Sequence, residues 1–308
     1  MVRTFSTVLA YLSRLSMFLL VMASCAHADV SPVIKAMQAE LSRSSTNLAE
    51  AGDTRTYFIA YSVVEENFKK GFLFSQGALI REGNPNRHRR ADVEIRIGDH
   101  SFDNTHYLRD KSGRVRFSSL RSFSLPADDD PDAIRAALWI ATDRSFKDAV
   151  EKLSELRTNV SLKVEEQDTS DDFSKESPVQ FSQAAPPIDP NMEGLESSAR
   201  DLSRLFLPHP WIYNSQVSVD ARDNIFYYVN TEGTQLVIGE NLLSLNVNAQ
   251  TIAADGMELR QYKNYSVKSE TELPPPATLR QDVTGLIQNL SQLRYAPIVE
   301  PYSGPAII

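Results

Sequence analysis

Two stretches of this 308-residue chain carry hydrophobic patterns in the same order, and that repetition restricts the fold more than any single motif. In each, a helix-period segment is followed by several runs of period-two alternation and then by a second helix-period segment. The first stretch opens at Ser31-Pro32, a capping side chain followed by a first-turn proline. Val33, Met37, Leu41, Ser44 and Leu48 recur at helical spacing and Gly52-Asp53 stops them, which predicts a helix over 32–50. Strands are predicted at 57–64, 68–76, 78–82 and 91–98, with Asn67, Gly77 and Gly83-Asn84-Pro85 as the turns between them. After a polar, irregular stretch, a long helix is predicted over 132–158, with Ile134, Leu138, Ala141, Ala149, Leu153 and Leu156 on its inner stripe.

The second stretch repeats the plan. A helix is predicted over 193–207, ended by Pro208-His209-Pro210. Strands follow at 213–221, 225–230, 235–239, 242–253 and 258–266, with Asp223-Asn224, Glu232-Gly233 and Asp255-Gly256 as hairpin signals. A last helix is predicted over 276–293. Phe72 and Gly77 in the first stretch match Tyr227 and Gly233 in the second, a strand ending at a turn glycine in each case. Between the stretches, residues 165–191 hold Glu165-Glu166, Asp171-Asp172 and the prolines Pro178, Pro186, Pro187 and Pro190, a composition that buries little and reads as a linker. The expected class is α+β: two similar helix–antiparallel sheet–helix halves, 29–164 and 192–296, joined by an acidic, Pro-rich linker.

Residues 1–28 read as a secretory signal. Arg3 and Arg14 supply the positive region, an apolar run covers 15–23, and Ala26-His27-Ala28 is the small-x-small pattern for cleavage. The run is shorter than the ~20 residues that span a bilayer, so no transmembrane segment is expected after processing. Met22-Ala-Ser-Cys25 is a looser match to a lipoprotein box, with Cys25 as the lipid-bearing residue. The expected location is therefore periplasmic or secreted. Cleavage after Ala28 removes the single cysteine and leaves 30 basic against 40 acidic residues. An acidic chain lacks the basic footprint of a nucleic-acid binder, and one cysteine excludes an internal disulfide.

Few motifs carry chemistry. The cluster Asp99-His100-Ser-Phe-Asp103-Asn-Thr-His106 offers His100, Asp103 and His106 to a divalent metal, but the spacing does not suit one helix turn and a structural role is expected. Arg87-His88-Arg-Arg90 is read as a solvated strand end, with a weak anion patch as the alternative. Asp128-Asp-Asp-Pro-Asp132 lacks the glycine and distal glutamate of a calcium loop and is read as a helix cap. Trp139 and Phe146 are read as core or interface anchors, and Trp211 as part of a loop packed on the core, with a contact surface as the alternative. No nucleophile elbow, P-loop or dinucleotide glycine pattern occurs. No residue is assigned a catalytic, cofactor-binding or metal role.

Five segments in order resemble the N-terminal region of TldD/PmbA-type proteins, a zinc metallopeptidase family formerly called modulators of DNA gyrase. They are Tyr57-Phe-Ile-Ala-Tyr61; Val93-Glu-Ile-Arg-Ile-Gly-Asp99 with Phe102-Asp-Asn-Thr105; Leu138-Trp-Ile-Ala-Thr-Asp-Arg144; Val229-Asn-Thr-Glu-Gly233; and Ala296-Pro-Ile-Val-Glu-Pro-Tyr-Ser-Gly-Pro305. The resemblance is to the exported variant and spans about 31–308. It implies dimers that cleave unstructured peptides in an enclosed cavity, with zinc in a C-terminal domain on a helix bearing His-Glu-x-x-x-His. That helix would begin about where this sequence ends, and 297–308 would be the truncated start of that domain. The expectation is an exported module, non-catalytic alone, that shapes a peptide-binding cavity or pairs with a full-length homologue or itself. Zinc is expected only in the missing domain. The alternatives are a stand-alone exported peptide- or protein-binding or assembly protein, and a degenerate remnant.

Overall fold

A computed structural model describes residues 31–51, 54–106, 122–161, 170–185, 188–297 and 304. The signal segment with Cys25, and most of the last segment of resemblance, lie outside the described residues.

Among the described residues four helices form where the sequence places them. They are α1 (Pro32–Asn47), α2 (Pro131–Ser161), α3 (Met192–Arg204) and α4 (Pro276–Arg294). Their starts follow from local chemistry. The Ser31 hydroxyl accepts the Val33 N–H at 3.3 Å, and the Asn191 side chain accepts the Gly194 N–H at 3.1 Å. The acidic run 128–132 caps α2 as expected: the Asp130 carboxylate accepts the N–H groups of Asp132 and Ala133. None of the described helices is long and apolar enough to cross a membrane.

The strands are β1 (Glu50–Ala51), β2 (Thr54–Ser75), β3 (Ala78–Gly83), β4 (Asn86–Ile97), β5 (Ser122–Leu125), β6 (Gln180–Gln183), β7 (Asn214–Asn230), β8 (Gln235–Ile252) and β9 (Glu258–Val267). They make one nine-stranded sheet in the order β5-β4-β2-β7-β8-β6, with β1 and β3 also on β2 and β9 on β8. The class is α+β, as read from the sequence, and each half runs helix–strands–helix. The halves are joined along the β2–β7 ladder, antiparallel from Ala60↔Asn230 to Phe74↔Val217. Among the described residues all the pairings are antiparallel except β6 on β8.

Three predicted breaks are absent. Asn67 lies inside β2, Asp223-Asn224 inside β7, and residues 239–242 inside β8. The reason is a polar seam between two cores. One core packs α1 and α2 on Ile59, Tyr61, Val93, Ile95, Tyr227 and Val229. The other packs α3 and α4 on Phe72, Phe74, Val217, Val219, Leu243 and Leu245. Where the strands pass from one core to the other, the helix-covered face carries Glu65, Asn67, Arg87, Arg89 and Asp223. Arg89 donates to Glu65 at 2.5 Å and to Asp129. Asn67 donates to Glu65 and Asp223, both at 2.9 Å, and accepts from Arg87 at 3.0 Å. A run of polar residues mid-strand imitates a turn in sequence.

The turn glycines behave as read. Gln76-Gly77 closes the β2–β3 hairpin with both φ positive, at 48° and 82°, a conformation glycine adopts without strain. In β2 a bulge at Phe68–Lys70 shifts the register, so inward positions change from odd to even numbers and both cores stay on one face. All four helices therefore cover the same side of the sheet. Tyr61 ties α1 to it: its buried hydroxyl donates to Ser44 at 3.1 Å and contacts Thr142 at 2.8 Å, and burial pushes its pKa up to about 12.

Candidate functional site

The loop that follows β4 contains the histidine cluster singled out in sequence. Gly98, at φ 120°, turns the chain, and Asp99 accepts the N–H groups of Ser101 and Phe102. Asn104 then pins the loop back on the strand, accepting from the Ile97 N–H at 2.7 Å and donating to the Ile95 carbonyl at 3.0 Å. This brings the three candidates near one another and aims them differently. Asp103 is fully buried. Its Oδ2 accepts from the Tyr57 hydroxyl at 2.6 Å and from Arg96 at 3.0 Å. Its Oδ1 accepts from the Thr105 N–H at 2.6 Å and hydroxyl at 2.7 Å. Burial alone would raise the carboxyl pKa, but the hydrogen bonds outweigh it and hold it below the ordinary value. The Tyr57 hydroxyl is raised, first by burial and then by Asp103.

His106 faces away, to Asp172 of the linker, at 2.7 and 2.9 Å from the two carboxylate oxygens. Asp172 also accepts the Asp103 N–H at 2.9 Å. His100 lies against rings, 4.6 Å from the Tyr57 centroid and 6.1 Å from that of Phe173. Among the described residues no group of three or more His, Cys, Asp or Glu side chains is arranged to hold a metal ion. The cluster acts as a clamp for the linker. Phe173 donates its N–H to the His100 carbonyl at 3.1 Å. Its ring stands 4.8 Å from that of Phe58, with the Arg96 guanidinium 3.9 Å from its centroid.

The basic run on β4 is split by strand alternation. Arg87 and Arg89 turn to the helix side and are taken up by Glu65, Asn67 and Asp129. His88 and Arg90 face the other side, and Arg90 stands 3.7 Å from Glu66. Trp211 packs on the second core, as read from the sequence. Trp139, read as a core or interface anchor, is 50% exposed on α2 and so is not in the core.

The side of the sheet opposite the helices is the more informative surface. No described helix covers it. The ladders set two rows across its middle: Ser62, Tyr228, Leu236 and Phe181 in one, Val64, Phe226, Ile238 and Gln183 in the other. Phe226 and Tyr228 stack with centroids 6.4 Å apart. The aromatic and aliphatic members of β2, β7 and β8 are half-buried, and Phe181 is exposed. On the β4 side the band is flanked by Arg90, Asp92 and Glu94. A hollow of about 400 Å³ opens beside the β2 bulge, lined by residues that include Glu66, His88, Arg81 and Arg222. The ladders also identify strands with a free edge among the described residues: β1, β3, β5, β6 and β9 each pair with one neighbour. On β3, Leu79 and Ile80 are exposed.

Sequence reasoning missed Tyr57, Arg96, Asp172 and Phe173 as a set, and the linker strand β6. The available signal was an aromatic residue at each place where an otherwise polar linker touches the sheet, Phe173 and Phe181.

No family model matches the chain, and no curated protein does. Solved structures do. A candidate modulator of a DNA gyrase from Thermotoga maritima aligns with 82% of this chain and 47% of its own, at 9% identity and TM-score 0.41. TldE from Thermococcus kodakarensis aligns over 85% and 48%, at 9% identity and TM-score 0.39. A candidate modulator of DNA gyrase from Bacteroides thetaiotaomicron aligns over 84% and 49%, at 10% identity and TM-score 0.46. The chain thus spans about half the length of each of these structures and is itself covered over most of its length.

Proposed function

We propose that this chain is a non-catalytic polypeptide-holding module of TldD/PmbA type, exported, that presents unfolded substrate within a cavity completed by a homologue or a second copy. The observation that carries the reading is the one-sided sheet: every described helix lies on one face, and the other bears a half-buried apolar band crossed in register by four strands. A face of that kind takes up extended apolar segments, and free strand edges add main-chain hydrogen bonds with little sequence preference. The five ordered segments of resemblance support the family, and zinc chemistry would belong to the homologue that bears the His-Glu-x-x-x-His helix.

The test is binding of a fluorescently labelled, reduced and carboxymethylated lactalbumin, followed by anisotropy, with and without zinc. Binding is expected without turnover, and Phe226→Ser with Tyr228→Ser is expected to weaken it about tenfold or more, since aromatic anchors dominate such contacts. Cleavage that a chelator abolishes would overturn the non-catalytic reading. Equal binding by the double variant would overturn the assignment of the face.

A further inference from the structure

The linker contributes a strand to the sheet, and the manner of its attachment is unequal along its length. At Asp172-Phe173 the attachment is built from side chains: a carboxylate shared by His106 and the Asp103 N–H, and a ring set between Phe58 and Arg96. At β6 it is built from main-chain pairing, with two side-chain hydrogen bonds where the strand begins and no buried side chain. Gln180, Phe181, Ser182 and Gln183 run parallel to Gln235, Leu236, Val237 and Ile238, and all four are exposed. Val179 and Phe181 remain 52% and 47% exposed. The supporting bonds are Gln235 N–H to the Val179 carbonyl at 2.8 Å, Val179 N–H to the Thr234 hydroxyl at 3.2 Å, and the Gln180 amide to the Gly233 carbonyl at 2.5 Å.

We propose that β6 is a displaceable occupant of a strand-accepting edge, and that an extended segment of an unfolded polypeptide replaces it against Gln235–Ile238. This rests on the polypeptide-holding reading above and names both the edge and its built-in competitor. A four-residue parallel pairing with no buried side chain opens more readily than the ladders around it. What it vacates is a row of main-chain donors and acceptors beside Leu236, Ile238, Phe226 and Tyr228. An entering segment makes the same main-chain bonds and sets an apolar side chain where Phe181 lies, next to Leu236. The preferred segment is therefore extended, free of proline, and apolar at alternate positions. The clamp at Asp172-Phe173 keeps the displaced strand tethered, so it returns at high effective concentration when the polypeptide leaves. Gly239 permits the present arrangement: a Cβ there would lie 2.3 Å from the Ala185 nitrogen, where the linker leaves the edge.

The experiment compares the purified protein with two variants, one with 179–183 replaced by Gly and Ser residues and one with Gly239→Ala. The carboxymethylated lactalbumin is the probe, read by anisotropy and by amide hydrogen exchange. Both variants are expected to bind it about fivefold more tightly, because the competent fraction rises when the internal strand is lost. In the unaltered protein, added probe is expected to strip protection from 180–183 while 235–238 stays protected. Equal affinity of all three forms, or protection at 180–183 that persists under saturating probe, overturns the displacement and leaves the holding function standing. Absence of binding by every form overturns both.

Discussion

Arg89→Met is expected to destabilise the protein severely, because the arginine sits in the polar seam with its side chain 2% exposed. It donates to Glu65 at 2.5 Å, to Asp129, and to the Asp128 and Pro126 carbonyls at 2.7 and 3.2 Å at the entry to α2. Removing one partner of a buried ion pair strands the other charge in a medium that solvates it poorly, at a cost of about 3–5 kcal/mol. Glu65 keeps the Asn67 amide at 2.9 Å and Arg87 at 3.7 Å, which places the loss near ~3 kcal/mol. Asp129 is 53% exposed and returns to water, so it adds little. For a domain of this size each kcal/mol moves the midpoint by about 2–4 °C, so thermal unfolding should fall by about 6–12 °C. Adding Glu65→Leu removes the stranded charge and should restore at least half of the loss, the remainder reflecting the two carbonyl contacts. A single variant within about 3 °C of the unaltered protein, or a double variant no better than the single, would refute the account of the seam.

Asp103→Asn tests the clamp through pH. The folded carboxyl is held below its ordinary value, so its stabilisation is complete above the unfolded pKa and fades as pH falls through the folded one. The gap between variant and unaltered protein in urea unfolding should therefore be wide at pH 7 and narrow at pH 3; a constant gap would contradict it. Phe173→Ala removes the ring over Phe58, and limited proteolysis should cut within 170–185 several times faster while the thermal midpoint moves by only a few degrees. Gly77→Val forces a branched residue into positive φ at the β2–β3 turn, and its Cβ would stand 2.7 Å from the Arg204 side chain. A loss of about 1–3 kcal/mol is expected in urea unfolding. Asn191→Ala removes the α3 cap and should cost about 1 kcal/mol by the same measurement.

The helices were legible because their inner stripes and caps are local. Ser31-Pro32 and Asp130-Pro131 act on the turn that follows them, whatever the rest of the chain does. The strands were legible as strands but not in length, since Asn67 and Asp223 carry the chemistry of turns and become strand residues only through partners 156 positions apart in the chain. The candidate cluster was legible as residues and not as an arrangement. Asp103 was offered to a metal, but what occupies its oxygens is a tyrosine 46 positions upstream and an arginine on the neighbouring strand. The linker strand was illegible because Gln-Phe-Ser-Gln has no periodic signature, and its pairing is with backbone that any sequence offers.

The interleaving of the halves bears on how the chain comes to be folded during synthesis. Phe72 and Phe74 belong to the first half in sequence, yet their packing partners are in the second, including Val217, Leu245 and Leu286. Tyr227 and Val229 likewise complete the core of the first. A nascent chain that has emerged only as far as α2 can pair the far end of β2 with β3, but Phe72 and Phe74 have no helix or neighbouring β7 to cover them. Such distant pairing is slow to form and leaves apolar surface waiting, so the second core cannot close until α4 has been made.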